Sequence, residues 1–494
     1  MKFCVRLLCL LLCGVMFVAF VGCGDKHREK YLYFEFSEKP YTLDAQTASS
    51  DTELMLVRNI YEGLMRYNAD GELVCGAAES YKKDGLTYTF TLRKDIKWST
   101  GEPLYADDFV FGIVRAVSPQ TAAPFVSRLF SIRGASEVNS GRAGLSSLGV
   151  RAVDDRTVEI TLVREDEYFL DTLASSVCMP CNEEFFGECV GKYGLESKYI
   201  ISNGSYSIRK WAKDDNFGIR LYSNDEYNGN FVAENAAVYF SCRKDLEPVE
   251  LVANSKVDMA FIDSTKLSDA ADANIHLETI PNICWMMSVG NNFSDNVRLA
   301  FAKLIGSDIY ADSLPSGFSP AYSIYPEIIS GTENLDGLGI AQYDLAGAQQ
   351  IFSAAVKGME NKRLPPTVLT YYDDPCIKDA LTDIVGHWQQ QLSAFINIEA
   401  SSSLAALTSQ LNGKTMPFAV FPVTAANSNA AEYLLKFGVN TGDAASAQSS
   451  LLSSNRLIPI AYENTTIAVA DTLESYVVFK SGGYIDFSFI IKKG

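Results

Sequence analysis

Residues Asp84 to Val117 read DGLTYTFTLRKDIKWSTGEPLYADDFVFGIVRAV, and their pattern sets the fold class. Leu86, Tyr88, Phe90 and Leu92 alternate with Thr87, Thr89, Thr91 and Arg93, the two-residue period of a strand with one buried face. Asp84-Gly85 marks a turn before the strand, and Ser99-Thr100-Gly101 with Pro103 marks another after it. A helix is then predicted from near Ala106, with Asp107 and Asp108 in the first turn, where the helix dipole favours carboxylates. Phe109, Ile113, Val114 and Val117 form its core face. Strand, Trp98 turn and helix make one unit, and the unit is α/β.

The residue choices in YTFTLRKDIKWSTGEPLYADDFVF are more specific. They resemble the signature of bacterial extracellular solute-binding protein family 5, the peptide and oligopeptide-binding lipoproteins of ABC importers. Tyr105 departs from that signature, standing where Thr usually serves as N-cap, and Asp107 is expected to take over the capping. Leu43-Asp44-Ala45 and Glu62-Gly63-Leu64 resemble the family opening, with Ala45 replacing a Pro. Further on, Asn203-Gly204-Ser205-Tyr206, Lys256 to Ala260, Asn291 to Phe301 and the closing stretch from Arg456 to Ile490 resemble it again, so the likeness covers nearly the whole mature chain.

The N-terminus carries its own signal. Lys2 and Arg6 flank an apolar run from Leu7 to Val21, short for a membrane span and followed at once by polar Asp25, Lys26 and His27. It reads as a signal peptide over residues 1–22. Val21-Gly22-Cys23-Gly24 resembles a lipobox, with Phe20 where Leu is usual, which makes Cys23 the lipidated first residue and 23–30 an anchor and tether. A plain secretory signal cleaved nearby is the alternative. Removing two positive charges with the signal takes the formal charge from -18 to -20, which argues against nucleic acid as a partner.

Seven cysteines remain in the mature chain after Cys23, and an odd number cannot pair completely. Cys178-Met-Pro-Cys181 with Cys189 has neither a second CxxC nor a nearby His to complete a tetrahedral set, so no metal or cofactor is expected. No triad spacing, P-loop or dinucleotide fingerprint appears, and an enzyme is not expected.

The resemblance implies a periplasmic-binding-protein-like type II fold: two α/β lobes joined by a double-crossing hinge, plus an extra subdomain. Lobe I would comprise residues 31–54, 198–280 and 476–494, the extra subdomain 55–197, and lobe II 281–475, trimmed near 436–458. It also implies a monomer held on the outer face of the cytoplasmic membrane by lipid at Cys23. Such a protein closes on a peptide or small solute and passes it to ABC permease and ATPase subunits.

Two departures bear on the ligand. Family members that hold a peptide N-terminus place an Asp on a Trp-x-x-Asp-Tyr loop, whereas this loop reads Thr424-Ala425-Ala426-Asn427-Ser428-Asn429. Without that Asp, a buried ammonium would go unpaired, so Asn427 or Ser428 is left as a neutral acceptor. The stretch from Lys436 to Ile458 is also short for the family. Expected ligand contacts are Trp285 and Met287 on the first strand of lobe II, Asn427 and Ser428 on the altered loop, and Tyr462 and Asn464 near the closing crossover. Three readings stand: an importer's receptor, a degenerate non-transporting lipoprotein with a signalling or interaction role, and an exported enzyme.

Overall fold

The Tyr88, Phe90 and Leu92 side chains are buried on one face of the strand Thr87–Leu92, as their alternation predicts. The chain was analysed as a computed structural model that describes residues 30–36, 38–213, 218–243, 246–273, 275–290, 292–402, 404, 407, 416–425, 428–439, 443–479 and 485–493. Cys23 and Asn427 lie outside the described residues.

The helix Ala106–Val117 begins where expected, but its start is held differently. Asp107 faces solvent, while Asp108, one residue on, points back over the first turn. Its Oδ2 accepts from the Tyr105 backbone N–H at 2.9 Å and from the Trp98 indole at 3.2 Å, and its Oδ1 accepts from the Asn182 amide at 3.2 Å. Asp108 therefore does the work expected of Asp107. Burial pushes its carboxyl up to about 6, against the pull of these three donors. The fully buried Trp98 is thereby fixed to the helix start.

Thr87–Leu92 is an inner strand of a four-stranded antiparallel sheet with Ala78–Asp84, Thr157–Thr161 and Val150–Asp154. This sheet and the Ala106–Val117 helix form the extra subdomain. Apart from two two-stranded ribbons, Met65–Tyr67 with Leu73–Cys75 and Leu473–Ser475 with Ile491–Lys492, the remaining strands form one large sheet spanning both lobes. Its main path runs Ile396–Ser401, Thr367–Tyr372, Ala419–Thr424, His276–Ser288, Leu457–Val469, Met259–Ile262, Tyr31–Glu35, Ala237–Ser241, Gly218–Ser223 and Tyr206–Ala212. Two 13-residue strands, His276–Ser288 and Leu457–Val469, pair antiparallel and belong to both lobes. They are the double crossing, and the register shifts between Ile280 and Ile283, where the lobes meet.

Some expected boundaries move. Residue 54 falls inside the helix Asp51–Ile60, and the chain is back in lobe I by Thr466, which pairs with Ile262, well before residue 476. Among its described residues, the short stretch after Lys436 holds the helix Ala444–Ser453. Its Gln448 is buried with both ends satisfied: Nε2 donates to the Leu335 and Leu338 carbonyls, and Oε1 accepts from Ser323 and Ile324.

The quoted motifs are the joints between subdomains. Glu62 receives Arg93 at 2.7 Å, Arg66 at 3.2 Å and the Tyr227 hydroxyl at 2.5 Å, while its backbone exchanges two bonds with the Asn203 amide. Asp44 holds Arg115 of the Ala106–Val117 helix at 2.7 Å. Gly63 sits where a Cβ would come within 2.4 Å of the Leu173 carbonyl, so no other residue fits without displacing backbone. Cys75, Cys178, Cys181, Cys189, Cys284 and Cys376 stand as free thiols.

Replacing Asp108 by Ala leaves three donors without their acceptor, two of them on buried or half-buried groups. Asp108→Ala should lower unfolding free energy by about 3 kcal/mol in a urea titration, and a loss below about 1 kcal/mol would contradict the anchoring role given to this carboxylate.

Candidate ligand cleft

A cavity of about 800 Å³ opens where the hinge strands cross, within the size range of small-molecule and peptide sites. One wall comes from the extra subdomain. Tyr67 ends the strand Met65–Tyr67, and the Asn68 side chain accepts from the Asp70 and Glu72 backbone N–H groups, so the turn carrying Asp70 and Gly71 is set into the cavity edge. Gly71 has φ 76°, a left-handed conformation that suits glycine. Glu167, Tyr168 and Asp171 complete this wall, with the Tyr67 hydroxyl donating to Asp171 Oδ1 at 2.6 Å. Burial raises the Tyr67 phenol, and the Asp171 partner raises it further.

The opposite wall belongs to lobe II. Ile328 N–H donates to the Pro281 carbonyl at 3.0 Å, and Ser330 N–H to the Ser428 carbonyl at 3.1 Å, which ties Glu327 to Ser330 to the hinge on one side and to the altered loop on the other. Val477 to Phe479 close the end. The Arg58 guanidinium lies 4.3 Å from the Phe479 ring centre and 5.7 Å from that of Tyr67, and burial pulls it down to about 10 against the charge of Asp486.

Among the described residues, the lining carries four carboxylates, those of Asp70, Glu167, Asp171 and Glu327, and no basic side chain. Such a wall is suited to a ligand bearing a positive group and repels anions.

Of the residues expected to contact ligand, Ser428 is in this lining. Trp285 and Met287 are buried in the lobe II core, because both sit on the inner face of a central strand. Tyr462 is half-buried and engaged: its hydroxyl donates to the Ser323 carbonyl and accepts from the Ser323 N–H. Asn464 is half-buried on the returning hinge strand, outside the lining. Tyr67, Asp171 and Glu327 were not anticipated. The turn Asn68 to Glu72 is visible in sequence, but nothing local indicates which side of it faces a cleft.

A family profile described as "Bacterial extracellular solute-binding proteins, family 5 Middle" matches residues 72–445. The chain belongs to this family. It is 25% identical over 408 residues to the oligopeptide-binding protein OppA of Bacillus subtilis, covering 77% of this chain and 72% of that protein. Its fold is similar to that of Listeria monocytogenes OppA bound to peptide, with TM-score 0.78 and 20% identity over 94% of this chain and 99% of the other. Against the Escherichia coli murein tripeptide binding protein MppA the TM-score is 0.76 at 20% identity, covering 94% of this chain and 99% of that one. Against an unliganded open form of MppA it is 0.62 at 19% identity, covering 95% and 98%.

Trp285 supports the hinge in a different way. Its indole donates to Glu463 Oε2 at 2.8 Å. Burial pushes the Glu463 carboxyl up from 4.5 to about 7, with the charges of Asp374 and Asp263 adding to it and the Trp285 bond opposing. An acid whose folded value is raised binds its proton more tightly folded than unfolded, so stability falls as pH rises from about 4.5 to about 7. The loss is on the order of 2 to 3 kcal/mol. Glu463→Gln keeps the acceptor and removes the charge, so its melting temperature should exceed that of the unmodified protein at pH 8, with the gap closing by pH 4.5. Equal melting temperatures at both values would remove Glu463 as the source.

Proposed function

We propose that this protein is the substrate-binding lipoprotein of an ABC importer. It captures peptides or a peptide-like solute between its lobes, is anchored outside the cytoplasmic membrane by lipid at Cys23, works as a monomer and delivers its ligand to a membrane permease. Family membership and the peptide-binding names of its relatives support the class of ligand. The observation that carries the reading for this chain is the acidic cavity at the hinge, to whose lining the described residues contribute four carboxylates. It answers the missing loop Asp: the ligand's ammonium is met from the extra-subdomain wall, by Asp171 and its neighbours, with Ser428 opposite as a neutral acceptor. Its family's binding role supports binding rather than turnover at this site.

A second reading has one observation in its favour. The lobe II helix Ala430–Leu435 packs on the Val126–Leu129 turn of the extra subdomain, with Tyr433 and Leu434 buried, so part of the interlobe space is filled by the protein itself. A degenerate, non-transporting lipoprotein would look like this.

Native mass spectrometry of the chain from Gly24 separates the two. A ladder of co-purified peptide masses is expected, together with thermal stabilisation by peptide pools. Asp171→Asn with Glu327→Gln should weaken binding of a free peptide about tenfold and leave its N-acetylated form unaffected, corresponding to about 1.4 kcal/mol. An empty protein that gains no stability from peptide would overturn the receptor reading in favour of the degenerate one.

A further inference from the structure

The lobe I sheet has an outer face that is half covered. Across Met259–Ile262 the helix Pro248–Ala253 packs Val249 and Val252 against Ala260 and Ile262. Glu35 pairs with Ala260 and Tyr33 with Tyr239, so the same face continues over the strands Tyr31–Glu35, Ala237–Ser241 and Gly218–Ser223. There it is tiled with tyrosines. Tyr31 stacks on Tyr239 at 5.3 Å, and Tyr33 and Tyr222 meet the same ring edge-on at 5.4 and 6.3 Å. Tyr31 and Tyr33 are each 39% exposed.

Cations frame the rings. The Arg220 guanidinium lies 5.0 Å from the Tyr239 ring centre, and that of Arg209 lies 5.0 Å from Tyr222; both arginines are exposed. Asp258 and Glu35, beside these rings, are buried and already engaged. Asp258 takes Lys492 at 2.9 Å and Thr472 at 2.5 Å, and Glu35 takes Arg243 at 2.8 Å. In a chain of formal charge -18, the described residues of this face form a cationic, aromatic patch.

We infer that this tyrosine and arginine face lies against the headgroups of an anionic bilayer. Tyrosine rings have an apolar body with a polar tip and partition to the membrane interface, and arginines beside them pair with lipid phosphates. The acidic remainder of the surface is repelled by the same lipids, so this is the face that can approach. The position of the anchor points the same way, and here the inference rests on the lipidation reading above. Tyr31 is eight residues from Cys23, which holds the face within about 28 Å of the bilayer even with the tether fully extended. Docking would fix the orientation of lobe I, leaving lobe II to move about the hinge.

Co-sedimentation of the chain from Gly24, which carries no lipid, tests the face independently of Cys23. Vesicles containing phosphatidylglycerol should pellet it at low salt, and vesicles of phosphatidylcholine alone should not. Arg209→Glu with Arg220→Glu should lower binding at least tenfold with an unchanged melting temperature, since both side chains are exposed. Absence of binding to the anionic vesicles, equal binding to both vesicle types, or binding unaffected by the charge reversals would each overturn the inference. So would capture by an anionic cell-wall polymer without capture by vesicles. Metabolic acyl labelling of the full chain and its Cys23→Ala variant reports the anchor separately, so failure of one reading is not mistaken for failure of the other.

Discussion

The pairing of His276–Ser288 with Leu457–Val469 is the constraint on which the rest of the structure depends. Each strand is long enough to be hydrogen-bonded in lobe I at one end and in lobe II at the other, so a single sheet runs through both cores. Continuity would make the molecule rigid if the ladder were unbroken. It is broken between Ile280 and Ile283, at Pro281, which has no N–H to contribute, and at Asn282. The buried Asn282 compensates: its side-chain oxygen accepts from Thr465, and its carbonyl accepts from Ala425. The hinge is thus a local gap in pairing whose polar groups find partners elsewhere, and the candidate cavity opens beside it.

Charge is sorted within the molecule rather than spread evenly. Carboxylates line the cavity, like charges crowd Glu463 at the hinge, and exposed arginine and stacked tyrosine occupy the outer sheet of lobe I. A net charge of -18 summarises none of this, because the effect of each group depends on which surface it shares.

The joints follow a different rule. Glu62 and Asp44 are buried acids, each held by donors from another segment. Burying such groups is costly unless every partner is in place, so these sites specify how the subdomains sit against each other more than they add to stability. That accounts for motifs such as Glu62-Gly63-Leu64 and Asn203-Gly204, where close backbone approach excludes a larger residue and a carboxylate or amide ties two segments together.

The sequence alone determined the class of fold, the Asp84 to Val117 unit, the two crossings and the family, because these rest on local periodicity, turn chemistry and motifs that are continuous in the chain. It placed the helix start at Ala106 but could not choose between Asp107 and Asp108, since the choice depends on Trp98 and Asn182 arriving from elsewhere. The Ala/Ser-rich stretch concealed Gln448, whose importance comes from backbone and hydroxyl partners more than a hundred residues away. Trp285 and Met287 have the composition of a pocket and the burial of a core, and a strand pattern does not distinguish the two faces of a central strand. The cavity was decided by tertiary structure, because its walls come from residues 67–71, 167–172, 327–330, 428–429 and 477–479, which share a surface only after the hinge strands pair.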